Sequence, residues 1–142
     1  MRRPHTIILT IIAIIAGVFA YWLPAIRMEL AGSAHYLEQD SREYKFYTPD
    51  LLKKIPRISD RYEFDFYNVA GPGSLIYSVT FYNTNDTDKV SAYLVSKGYI
   101  RQETCSVEGE CWKGNNPAET VTVSAVPKTN VVMVQIDNSP QF

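Results

Sequence analysis

Hydrophobic and polar residues fall into two regimes along this chain. A run that starts at Thr6 and ends at Ile26 carries no charged residue, whereas from Arg27 onward apolar positions come in short groups with alternating or helical spacing. Six isoleucines (Ile7, Ile8, Ile11, Ile12, Ile14, Ile15) with Leu9, Val18, Phe19 and Leu23 supply ten strong insertion residues. Together they are worth roughly 3 to 6 kcal/mol on an insertion scale, and a single central lysine would cancel about half of that. At about 1.5 Å per residue the run spans roughly 30 Å, the thickness of a hydrocarbon core. Tyr21 and Trp22 stand where an aromatic belt meets the headgroups, and Pro24 follows at the water boundary. Residues 1–26 are therefore expected to form a membrane anchor.

Arg2 and Arg3 precede the run, while Arg27 after it is offset by Glu29, so the positive-inside bias keeps the N-terminus in the cytoplasm and places the rest outside. The competing reading is a cleavable signal. Val18-Phe19-Ala20 has small residues at peptidase spacing, and cleavage after Ala20 would release a soluble protein. The apolar run is longer than a usual signal core and continues through that cut, which favours retention. Lipid anchoring would need a cysteine just after the run, and the two cysteines are Cys105 and Cys111.

Beyond the anchor, Ile26, Leu30, Ala34 and Leu37 recur at helical spacing, so residues 27–47 are expected to form a juxtamembrane stalk, with weak alternation over 41–47. Thr48-Pro49-Asp50 offers an N-cap, a proline at the first helical position and an acid in the first turn of a short helix ending before Pro56. Residues 61–69 alternate well: Tyr62, Phe64 and Phe66 point one way, and Glu63, Asp65 and Tyr67 the other. Gly71-Pro72-Gly73 breaks the chain before Leu75, Tyr77, Val79 and Phe81 line a second strand, which predicts an antiparallel hairpin. Asn85 is placed to cap a helix with Asp88 in its first turn, Val90, Tyr93 and Leu94 as its stripe and Gly98 as its stop. A tight hairpin over 99–112 and two strands, 120–126 and 131–136, complete the string. Val132, Val134 and Ile136 share one face of the last strand and Val131 and Met133 the other, the pattern of a central strand. The fold class is α+β: one transmembrane helix, then over 48–138 an antiparallel sheet of about five to six strands with one or two helices packed on it.

Composition narrows the partners. Removing residues 1–26 takes away two of the 14 Lys and Arg and none of the 15 Asp and Glu, leaving 12 against 15 and a net charge of −3. Lys53, Lys54 and Arg57 are the one basic cluster, read as a solvated helix face, so nucleic acid is not an expected partner. An aromatic content of 13% with 20% charged residues is enough apolar area for one modest core.

Cys105 and Cys111 flank five residues. A three-residue loop, 107–109, with Gly109 in the left-handed position would pair Ser106 with Glu110 and set the cysteines opposite each other, within disulfide range. Outside the cytoplasm that staple is the expected state, worth on the order of 2 kcal/mol. Zinc binding fits poorly, because two thiolates leave two ligand positions unfilled, and the spacing is not that of a redox C-x-x-C pair.

No catalytic constellation is visible. The two histidines, His5 and His35, fall in the anchor and the stalk, and His35 reads as a solvated polar residue. Glu63 and Asp65 lie about 7 Å apart on one strand face, a spacing seen in glycosidases, but an acid pair on a solvated strand makes no cleft. Gly71-Pro72-Gly73-Ser74 lacks the lysine of a phosphate loop. No metal, cofactor or catalytic residue is expected. The face carrying Glu63, Asp65, Tyr67 and Tyr82 is the candidate protein-binding surface, because tyrosine offers contact area at low entropy cost.

The expectation is a non-catalytic, single-pass protein of a bacterial inner membrane whose periplasmic domain binds another protein of the membrane or periplasm, as immunity proteins or accessory subunits of envelope complexes do. The alternative is a secreted soluble inhibitor or small hydrolase. Asn85-Asp86-Thr87 also fits a glycosylation sequon, though its overlap with a helix start favours capping. Intact mass and alkaline extraction of membranes decide between the first two: the retained anchor predicts the full-length mass in the pellet, and a soluble protein starting at Tyr21 would sink it.

Overall fold

The computed structural model describes residues 3–140, so Arg2 of the orienting pair lies outside the described residues. The chain divides after Ala31 into two compact units. The first is a single helix, α1 (Arg3–Leu30), 28 residues long and so about 42 Å. It is long and apolar enough to cross a membrane. None of its residues is buried, and a helix apolar all round needs a non-aqueous surrounding. The Thr10 hydroxyl donates to the Thr6 carbonyl oxygen at 2.8 Å, satisfying that polar group within the helix as lipid requires. The helix runs on through Pro24, whose missing N–H forfeits one ladder bond without ending the helix.

The second unit begins at Gly32. Its elements are β1 (Ser33–Tyr36), α2 (Ser41–Tyr47), α3 (Asp50–Lys53), β2 (Tyr62–Val69), β3 (Ser74–Tyr82), α4 (Asp88–Ser96), β4 (Ile100–Arg101), β5 (Glu110–Lys113), β6 (Glu119–Val126) and β7 (Val131–Asn138). The strands form one sheet in the order β1-β2-β3-β7-β6-β5-β4, with every neighbour antiparallel. The architecture is α+β as the alternation implied, with seven strands. The expected stalk over 27–47 is not a separate element: residues 27–30 finish α1, Ser33–Tyr36 is a strand and Ser41–Tyr47 a helix. The helical spacing of Ala34 and Leu37 was fortuitous, because the backbone groups of β1 are claimed by β2.

Register explains the layering. Phe64, Val79, Val134 and Val123 lie in one row across four strands, and Phe66, Tyr77, Ile136 and Val121 in the next. Phe64, Val79, Val134 and Val121 are fully buried, because the helices cover this face. Tyr47 of α2 stacks on Phe66 with centroids 4.8 Å apart, and Tyr44 meets Phe64 edge-on at 5.3 Å. Leu52 of α3 and Val90 and Leu94 of α4 are likewise closed off, and the Tyr93 hydroxyl donates to the Leu51 carbonyl oxygen at 2.7 Å, tying α4 to α3. β7 is central, as its apolar character on both sides implied.

α2 and α3 are too short to persist alone in water, and neither has a side-chain N-cap. Thr48, expected to cap α3, instead exchanges a 2.7 Å hydrogen bond with the buried Tyr36 hydroxyl. Asn85 does not cap α4 either: its amide bonds the Asn130 side chain, and Asp86 accepts from the Asp88 N–H at 3.0 Å. Gly98, at φ +85, does end α4, its N–H reaching the Val95 carbonyl at 3.0 Å. The stabilising contact comes from Arg57. Its Nη1 donates to the carbonyls of Leu52 and Ile55 at 3.1 and 3.0 Å, and its Nη2 to Glu38, Tyr44 and Lys53 at 3.1, 3.1 and 3.2 Å. Its guanidinium also lies 5.0 Å from the Tyr62 ring centroid. The basic cluster is thus not a solvated face at Arg57. The Tyr62 hydroxyl and Arg57 together hold the Glu38 carboxyl below its ordinary range.

The cysteine hairpin differs from its expected register. Arg101 pairs with Trp112 and the Gln102 N–H donates to the Cys111 carbonyl, so a wide loop over 103–109 replaces the three-residue turn, and Ser106 does not pair with Glu110. The loop lies against β6: the Ser124 hydroxyl donates to the Glu108 carbonyl at 2.9 Å, and a β-carbon at Gly109 would meet the Val123 carbonyl oxygen at 2.6 Å. Glycine is favoured there both by that close approach and by the positive φ of +131, although the turn around it is not the three-residue one. Cys105 and Cys111 nevertheless form the disulfide, with α-carbons 5.5 Å apart, bridging loop to strand.

Two stability predictions follow from these contacts. Replacing Cys105 and Cys111 together by serine should lower stability by roughly 1 to 3 kcal/mol with the fold kept, and thiols that label freely before reduction would refute the bridge. Arg57→Met should lower stability by about 2 to 4 kcal/mol, because it strands Glu38 and the α3 carbonyls, and Arg57→Lys should recover little of it. Urea unfolding read by tryptophan fluorescence checks this, and a change within about half a kcal/mol would refute the role assigned to Arg57.

Candidate functional site

The face opposite the helices carries the candidate residues. Cross-strand rows place Glu63 beside Thr80, Met133 and Ser124, and Tyr67 beside Ile76, Asp137 and Thr120. Between them runs a polar row: His35, Asp65, Ser78, Gln135, Thr122 and Cys111. Ser78, Thr80 and Thr122 are small enough for longer neighbours to close over them, and all three are buried. Large apolar groups flank the row: Tyr67 is 47% exposed, Val126 48% and Met133 37%.

Glu63, Asp65 and Tyr82 are brought into one network, and the residue that completes it is His35. Its Nδ1 lies 2.7 Å from Asp65 Oδ1 and its Nε2 3.5 Å from Glu63 Oε2. The Tyr82 hydroxyl donates to Glu63 Oε2 at 3.0 Å, and the Arg61 guanidinium sits 4.7 Å from the Tyr82 ring centroid. His35 is exposed, while both carboxylates are mostly shielded. The hydrogen bond to Asp65 raises the His35 pKa above its ordinary value, against a smaller opposing effect of burial. Burial, followed by the bond to Glu63, raises that of Tyr82. Tyr67 stands apart from Tyr82: its partner Ile76 is six residues from Tyr82 along β3, or about 20 Å.

His35 is exposed, as a solvated polar residue would be, but it stands on β1 and not in a stalk, and it faces two carboxylates. The signal that could have revealed it was Tyr36, an aromatic that needs a buried place four residues after Gly32. Placing it required knowing that residues 33–36 pair with β2.

The chemistry open to this network is limited by order in space. Asp65 lies between His35 and Ser78 in the row, so histidine and serine are separated by two strand spacings, about 9 to 10 Å. A nucleophile and its base need hydrogen-bond reach. The His35 nitrogen that a nucleophile would use faces Glu63. Among the described residues no group of three or more His, Cys, Asp or Glu is placed to hold a metal ion.

On the helix side, a shallow pocket of about 260 Å³ is lined by Phe46, Tyr47, Tyr77 and Glu119, among others. Its carboxylate already accepts from the Tyr99 hydroxyl, so it is not a vacant charge. The chain matches no protein-family model, no curated protein and no solved structure.

Proposed function

We propose that this chain is a single-pass membrane protein, N-terminus in the cytoplasm, whose exported domain binds another protein through the sheet face carrying Glu63, Asp65, Tyr67 and Tyr82, without catalysis. The observation that carries the reading is the one-sided layering: the helices cover the aromatic face, and the opposite face keeps Tyr67, Val126 and Met133 open to contact. Aromatic and methionine side chains around a polar centre are the composition of recognition surfaces. Glu63, Asp65 and Asp137 share that face, so a partner surface with basic groups complements it. A bacterial inner membrane with the domain in the periplasm is the location that fits the anchor's flanking charges and the disulfide. The spatial order of His35, Asp65 and Ser78 supports binding over hydrolysis.

Capture from detergent-solubilised native membranes tests this. A stoichiometric protein should co-purify with the full chain, and Tyr67→Ala should reduce its recovery by about tenfold or more, as loss of an anchor residue does. The same variant should change stability by no more than about half a kcal/mol, whereas Tyr82→Ala should cost more because it frees Glu63. Val95→Ala, on an exposed position of α4, should leave capture unchanged. Undiminished capture by Tyr67→Ala and Tyr82→Ala would remove this face as the site.

A further inference from the structure

We infer that His35 is a proton-operated latch on the edge strand β1: its imidazolium clasps two carboxylates of β2, and losing its proton releases one of them and loosens the strand. The geometry begins with register. The Asn68 N–H donates to the Gly32 carbonyl at 2.8 Å, so Gly32 and Asn68 form a hydrogen-bonded pair and the phase alternates from there. His35 and Asp65, partners in the ladder, then fall on a non-hydrogen-bonded position, where side chains come closest. Glu63 lies one diagonal step away on the same face and reaches the other ring nitrogen.

Only the protonated ring can donate from both nitrogens. The neutral ring with its proton on Nδ1 keeps the bond to Asp65 and turns a lone pair toward Glu63 Oε2. The alternative tautomer does the reverse. Either way one carboxylate faces a lone pair. From β2, Asp65 and Glu63 are the charged groups facing the ring. Behind Glu63 stand the Tyr82 hydroxyl from β3 and the Arg61 guanidinium on its ring. The other residues of β1, Ser33, Ala34 and Tyr36, carry no charge near neutral pH.

Besides its ladder to β2, β1 is held on the covered face by Tyr36, which bonds Thr48 and meets Phe64 and Tyr47, and on the open face by His35. It has four residues and only Tyr36 fully buried, and it occupies the sheet edge. It is also the first strand after α1, separated from it by Ala31 and Gly32, so a change in its fastening alters how much ordered chain follows the helix. Because folding raises the His35 pKa, the contribution of the clasp is complete below the unfolded value near 6.5 and is lost as pH rises through the folded value.

The test uses the full chain in detergent micelles with His5→Gln, which leaves His35 as the single imidazole. Nitrogen-15 NMR of the ring should show a midpoint above 6.5. Amide exchange at Ala34 and Tyr36, corrected for the intrinsic pH dependence of exchange, should lose protection across that titration. The loss should be a factor of ten raised to the displacement of the midpoint from 6.5. Asp65→Asn should lower the midpoint, and His35→Gln should abolish the step in protection. A midpoint at or below 6.5, flat protection across it in the chain that retains His35, or a β1 unprotected at every pH would each overturn the latch. None of these readouts involves a partner, so they stand or fall separately from the binding face.

Discussion

The guanidinium of Arg57 is the contact on which the helical half of the domain depends. α2 and α3 have seven and four residues, below the length at which a helix persists on its own, and they start without side-chain caps. One planar cation resolves several deficits at once. It accepts the burden of the carbonyls that α3 leaves open at its end, it meets Glu38 and Tyr44, and it lies on the aromatic rings of Tyr62 and Phe64 at the sheet. Lysine could not do this, because both terminal nitrogens of the planar fork and its flat face are in use. A half-buried charge would be a liability alone; here both terminal nitrogens have acceptors and Glu38 supplies the opposite charge, which is the condition under which burial of a charge is tolerated.

With that layer in place the two faces of the sheet diverge. From β2 to β6 the two central rows of the covered face are aromatic or branched aliphatic, and the rings of Tyr36, Tyr47, Phe66 and Tyr77 meet in sequence with centroid distances from 4.8 to 5.7 Å. The open face is built on hydroxyls and carboxylates, with apolar groups toward its ends. At its polar centre Ser78, Thr80 and Thr122 are short side chains that bury little polar surface each, and the Thr122 hydroxyl lies 3.9 Å from the disulfide sulfur of Cys111, which can only accept. The same face thus serves as the solvated side of a stable sheet and as a surface suited to recognition.

The two edges are handled differently. β4 is only two residues long, and the disulfide secures the loop beside it, so little unpaired ladder is exposed there. β1 is longer and carries an ion cluster, and inward or lateral charge on an edge strand is one of the ways proteins discourage edge-to-edge pairing. Fastening an edge by charge makes it sensitive to the proton, whereas fastening one by a covalent bridge does not.

Part of this architecture is written in local pattern. The uncharged run at the start specified one long apolar helix. The alternation of Tyr62 to Tyr67 and of Leu75 to Phe81 specified the β2–β3 hairpin and which residues lie on each side of it. The doubly apolar stretch around Val134 specified a central strand. Composition and spacing were enough for the disulfide, though not for its register, which depends on the loop packing against Val123 and Ser124. The remainder came from contacts between segments distant in the chain. Ser33–Tyr36 has no periodicity of its own and becomes a strand because β2 offers an edge. Thr48 and Asn85 have the chemistry of helix caps and are drawn off by Tyr36 and Asn130, partners 12 and 45 residues away in the chain. Arg57 looks like one member of a surface basic cluster until its acceptors are assembled around it. His35 meets its carboxylates only through the pairing of residues 33–36 with 64–67. In each case the deciding contact is long-range, and a single chain's local pattern carries no information about which distant group will arrive.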